Sequence, residues 1–242
     1  MKRLFTIIFL TTSLYSIGQP QRFKNGNEFG IWTMNYYKNP EPNDLFDAFI
    51  FATESKEIAQ AGSRGIMMSF FASALRNDTI RQQEFFDKLQ TTKDENLIYG
   101  FGYVLWLIHT EFSLNSFEKF KNLNQIEKYK KDFDSLTKGT FLSIYTDPIT
   151  KAEHLDMLWA DFFATGNEES IKKIITKLID IDSANPVDKV TAGSAKWSLT
   201  SNSIRHDRVF ETCKTQRADI ADNKIKMTLD EIIKEATKQR GG

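Results

Sequence analysis

Cysteine is nearly missing from this chain of 242 residues: Cys213 stands alone, so no disulfide can close within it. Proline (5) and glycine (12) are sparse, which excludes collagen-like and low-complexity architectures. An excess of either charge is also missing. Basic and acidic residues number 32 each, and without Lys2 and Arg3 the balance falls only to −2. A nucleic-acid binder carries a basic face or a high pI, so nucleic acid is not an expected partner. Long apolar runs are absent too. The stretch Asn96–Thr110 has no formal charge, but it is interrupted by Gly100 and Gly102 and falls short of the roughly 20 residues that span a bilayer.

What is present is core-forming material. Hydrophobic residues make up 40% of the chain and 20 residues are Phe, far from the composition of a disordered protein. At about 100–200 residues per domain this length gives one domain, two at most. The N-terminus has three parts: Lys2 and Arg3, an apolar segment from Leu4 to Tyr15, then small Ser16 and Gly18 ahead of Gln19. That is the pattern of a cleaved secretory signal over 1–18, followed by a single helical domain over 19–242. The apolar segment is too short for a membrane anchor, and no Cys lies near the cut to take a lipid. The expected location is periplasmic or extracellular, with no integral membrane segment after cleavage. Cys213 reads as a buried apolar residue.

Apolar spacing supports helices throughout. Ile171, Ile174, Ile175, Leu178 and Ile179 follow one helical face, as do Met67, Phe70, Phe71, Ala74 and Leu75. No alternating β-branched run supports a strand. The pattern predicts helices near 43–59, 64–76, 80–90, 94–112, 115–135, 150–165, 168–181, 187–204 and 228–238. It leaves an irregular lead-in at 19–31 and an undecided stretch at 205–227. Thr79–Gln82, Thr92–Glu95, Thr150–Glu153 and Thr228–Glu231 match capping boxes. Gly62, Gly139 and Gly166 stand where left-handed helix caps belong. The 94–112 segment, apolar all round, reads as the central helix, and Gly100 and Gly102 would let a neighbour approach closely.

Phe70-Phe71 and Phe162-Phe163 each close one helix and precede a second, so two helical hairpins resemble each other. Stacked helix pairs build α-solenoids, although the 92-residue spacing also fits two unrelated hairpins. The fold class is therefore all-α: antiparallel helix pairs stacked as a short α-solenoid or a compact helical bundle. Three stretches, Tyr36-Tyr37-Lys38-Asn39-Pro40, Trp159 to Gly166 and Ala195 to Ser203, resemble an uncharacterised family of exported bacterial proteins, over roughly residues 32–213. The resemblance implies a tetratricopeptide-like helical fold, bacterial origin and export, and it brings no catalytic residues.

Chemistry is thinly signalled. His109, His154 and His206 form no His-Glu-x-x-His motif, and Gly100-x-Gly102 lacks the third glycine of a phosphate loop. No serine elbow is present. No catalytic set, cofactor or metal is therefore expected. Asp161, set between Trp159 and Phe162, reads either as a ligand contact or as a carboxylate fixing two helices. Trp197 and Asn202, with Arg205 and His206 beyond, form the most polar candidate patch. Trp32, Tyr36 and Tyr37 belong to an aromatic segment suited either to a binding hot spot or to plugging the helical stack. The expected function is a non-catalytic binding protein offering a helical groove to a protein or peptide. Its candidate residues are Trp32, Tyr36, Tyr37, Trp159, Asp161, Trp197, Asn202 and His206. The rival is an exported hydrolase, metal-dependent or not, in which His206 and Asp161 converge in one pocket.

Overall fold

A computed structural model describes residues 22–56, 64–139, 141 and 143–241. Among these the chain is all-helical, with no strand. The α-helices are α1 (Gly26–Asn35), α2 (Leu45–Glu54), α3 (Arg64–Leu75), α4 (Thr79–Leu89), α5 (Glu95–Ile108) and α6 (Glu111–Lys121). They continue as α7 (Lys130–Lys138), α8 (Ala152–Thr165), α9 (Glu168–Thr176), α10 (Pro186–Arg205), α11 (Asp207–Asp219) and α12 (Asn223–Arg240). Helix packs on helix throughout, as the apolar spacing requires. The signal segment and Gly62 lie outside the described residues.

Several boundaries differ from those the sequence suggests, and each difference has a local cause. The lead-in is helical from Gly26, because Asn25 accepts a hydrogen bond from the Glu28 N–H and Phe29 is drawn into the core. The predicted 94–112 helix stops at Ile108. His109 takes a left-handed conformation (φ 53°), and Thr110 and Ser113 cap each other to start α6. The predicted 115–135 helix breaks at Asn122, whose side chain ties back to the Glu118 carbonyl. The undecided stretch is α11 followed by the first turn of α12.

The capping boxes are misplaced: at two of them a neighbouring Asp caps in place of Thr, and at a third the helix starts well before the Thr. Asp78 caps α4, Asp94 caps α5 and Asp222 caps α12, each accepting from the helix's first N–H groups. Thr228 sits inside α12 and bonds the Lys224 carbonyl. At α8 the cap position is Lys151, with no side-chain bond. Gly166 is the expected left-handed cap (φ 70°), whereas Gly139 ends α7 in an extended conformation.

Two apolar cores result. The first gathers Phe49, Phe71, Phe85 and Phe101 from α2 to α5 in edge-to-face and tilted contacts. The second joins Leu158 and Phe162 of α8 to Ile171, Ile174 and Ile175 of α9 and to Leu199, Val209 and Leu229 of α10 to α12. The helix expected to be central to the whole domain, α5, is the centre of the first core alone. The helix that belongs to both is α8. It packs on α1 and α3 on one side and on α9 and α10 on the other, and it gives Ala160 and Ala164 to the first core. The two Phe-Phe helices, α3 and α8, therefore pack against each other.

The close approach at α5 is real. A Cβ on Gly100 would stand 2.9 Å from Thr53 Cγ2, and one on Gly102 would stand 2.5 Å from Phe133 Cζ. Phe133 is fully buried and has no room to withdraw. Gly102→Ala should therefore lower stability by about 1–3 kcal/mol despite alanine's better helix propensity. Gly193→Ala, in α10 with no atom within 4 Å of the added methyl, should raise it by up to about 1 kcal/mol. Chemical denaturation of the two variants checks the pair, and a neutral Gly102→Ala would show that Phe133 yields.

Candidate functional site

Four helices leave a groove between them. On α8 the lining residues Asp156, Trp159, Ala160 and Phe163 recur at i, i+3, i+4 and i+7, a single stripe. The adjacent stripe of Leu155, Leu158 and Phe162 faces the second core. Phe29, Gly30, Thr33 and Met34 of α1, Ile66, Met67 and Phe70 of α3, and Trp197, Ser198 and Asn202 of α10 complete the walls. The cavity measures about 480 Å³, within the range of ligand pockets.

The floor and rim differ in character. Trp159 is buried, stacks on Phe163 at 5.9 Å and carries an indole N–H with no hydrogen-bond partner among the described residues. Trp197 is 73% exposed, the most exposed aromatic side chain in the described fold. Asp156 is the one acid in the lining. It forms no ion pair among the described residues, and burial, with the nearby Glu153 charge adding, pushes its carboxyl above the usual range.

The sequence candidates separate into three groups. Trp159, Trp197 and Asn202 meet in the groove. Trp32 and Tyr36 lie behind its α1 and α3 walls. Trp32 packs on Phe29 and Phe70 and donates its indole N–H to Glu41 (2.7 Å). Tyr36 is buried against Phe70, and desolvation pushes its phenol up to about 12. Tyr37, Asp161 and His206 are tied into helix junctions. Asp161, 1% exposed, accepts from Ser170 Oγ (2.5 Å), joining α8 to α9, and its charge helps push the phenol of Tyr145 in the preceding loop upward, after burial.

His206 stands at the N-cap of α11, and its Nδ1 meets the Tyr37 hydroxyl at 3.1 Å. Burial, with Lys38 and Arg205 nearby, pulls its pKa down to about 4, so the ring is neutral. His154 accepts from the Thr150 N–H, and His109 lies flat on Phe141. Cys213 is buried beside Ser203, and its thiol is pushed up to about 11. Among the described residues no three His, Cys, Asp or Glu side chains gather as metal ligands, and no helix is long and apolar enough to cross a membrane.

Sequence reasoning missed Asp156, Met34 and the Ile66–Met67 pair. The i, i+3, i+4 spacing of Asp156 with Trp159 and Ala160 was the available signal. Comparison of the chain with family models, with curated proteins and with solved structures finds no significant match.

Proposed function

We propose that this chain is an exported, non-catalytic binding protein whose groove takes a peptide segment of a partner protein, with an apolar side chain beside a basic one. The observation that carries the reading is the pairing of an exposed Trp197 rim with an Asp156 that forms no ion pair among the described residues, in a mostly apolar, aromatic cleft. The apolar walls would take the side chain. A Lys or Arg beside it would neutralise Asp156, and the free Trp159 N–H offers a donor to a peptide carbonyl. Export is supported by Lys2, Arg3 and the apolar segment ahead of Ser16 and Gly18. A tetratricopeptide-like reading is supported by successive helix pairs, and bacterial origin by the resemblance of the three stretches named above.

Selection of random 12-residue peptides on the purified protein tests this. The enriched peptides should place an aromatic or branched aliphatic residue within a few positions of Lys or Arg. Trp197→Ala should weaken them by roughly tenfold or more, and Asp156→Asn should remove the preference for the basic residue. No convergent set, or equal binding by the Trp197 variant, would sink the proposal.

A further inference from the structure

On an adjacent stripe of α3 lies a second, smaller cavity of about 240 Å³, which shares no lining residue with the groove. It is closed by the end of α3, the end of α5 and residues 143–145. Among the described residues Arg76 is the sole formally charged one in its wall, and no acid lines it. The guanidinium forms no ion pair among the described residues. Among the described residues its one hydrogen bond is a long Nη2 contact of 3.5 Å to the Leu107 carbonyl, its Nε is buried with no hydrogen-bond partner, and its face lies 5.8 Å from the centre of the Tyr145 ring.

His109 stands on the same wall. Its ring is clamped face to face on Phe141 (centroids 3.5 Å apart, planes 5° apart) and edge-on to Trp106, while its Nδ1 is buried with no hydrogen-bond partner among the described residues. Buried polar nitrogens without acceptors are rare in folded proteins, because each forfeits a hydrogen bond to water. Two such nitrogens, one on a permanent cation, belong to side chains that line one cavity. The remaining wall is largely apolar, with Ile144 and Met157 among its residues.

We infer that this cavity binds a small organic monocarboxylate: an anionic head held by Arg76 and His109, and a short apolar body against Ile144 and Met157. The planar guanidinium fork matches a carboxylate with two parallel N–H donors, the stronger kind of hydrogen bond. The Nδ1–H tautomer of His109 supplies a further donor. The size excludes drug-sized molecules, whose pockets start near roughly 300 Å³, and the missing second cation disfavours dicarboxylates and phosphate esters.

Isothermal titration of the full chain with benzoate and hexanoate, each beside its neutral amide, tests the site. Saturable one-to-one binding of at least one carboxylate is expected, with the matching amide weaker by roughly tenfold or more. Arg76→Gln should abolish the heat and Arg76→Lys should retain part of it. Trp197→Ala, in the groove, should leave it unchanged, which keeps this outcome separate from the fate of the peptide reading. Absence of saturable binding for both acids would overturn the proposal. So would an amide that binds as tightly as its acid, or inorganic chloride and sulfate that displace the acids at equal concentration. The amide comparison uses unaltered protein and holds even if an Arg76 variant fails to fold.

Discussion

Phe162→Ala will lower the melting temperature by on the order of 10 °C. Phe162 is fully buried and meets Tyr37 (4.7 Å), Trp159 (6.0 Å), Phe163 (5.6 Å) and His206 (6.2 Å) between ring centroids. Truncating a buried Phe costs about 3–5 kcal/mol through lost transfer energy and the cavity left behind. For a chain of this size each kcal/mol moves the midpoint by about 2–4 °C. The same change at Trp197, which is 73% exposed, should stay within about 0.5 kcal/mol of the parent. Scanning calorimetry on both variants separates a residue that holds the groove from one that serves it. A fall under about 3 °C for Phe162→Ala would mean that its neighbours refill the space.

The second large effect is a loss of stability in acid that runs through His206. The folded ring holds its proton only below about 4, against 6.5 for the free side chain. Between those values the unfolded chain takes up a proton that the folded chain refuses. Stability tied to this ring is thus fully present above pH 6.5, falls as the pH drops, and is fully lost by about pH 4. The difference in pKa corresponds to about 3 kcal/mol. His206→Gln keeps an acceptor for the Tyr37 hydroxyl but has nothing to titrate, so its stability should decline less steeply over that window. Urea melts at half-unit steps from pH 7.5 to 4.5 give the comparison. Parallel curves for parent and variant would show that His206 is not the group responsible, leaving buried His154, whose pKa is also lowered, as the next to examine.

Much of the architecture was legible because core faces obey helical periodicity. Ile171, Ile174, Ile175 and Leu178 are all fully buried. Ile179 is 40% exposed because the chain tightens into a 3-10 turn at Lys177 and rotates that position outward. Helix starts were less legible. Thr-x-x-Glu or Thr-x-x-Gln describes a cap only when no Asp or Asn stands beside it, as Asp78 and Asp94 do, and only where the helix has not already begun, as it has by Thr228. The burial of Asp161 was readable from its apolar neighbours, and its role in joining helices follows from Ser170. The gathering of Trp159, Trp197 and Asn202 was not readable, since α8 and α10 meet only through tertiary packing. Neither Arg76 nor His109 announced itself, because an unpaired donor is visible only once all its neighbours are known.

The placement of α8 also bears on the order in which the chain can complete itself. The first core draws almost entirely on residues before 137, yet it is closed by Ala160 and Ala164, with Met157 and Phe163 packed beside them. During synthesis, at about 5–20 residues per second, α3 waits several seconds with Ile66, Met67 and Phe70 lacking the helix that covers them. The contact is also distant in sequence, so its loop-closure entropy is met late. Docking of α8 is thus the step that turns a nascent set of local hairpins into the mature molecule. The interval before it is when the chain most needs a chaperone, and the apolar surface left open then is the one that later becomes the groove.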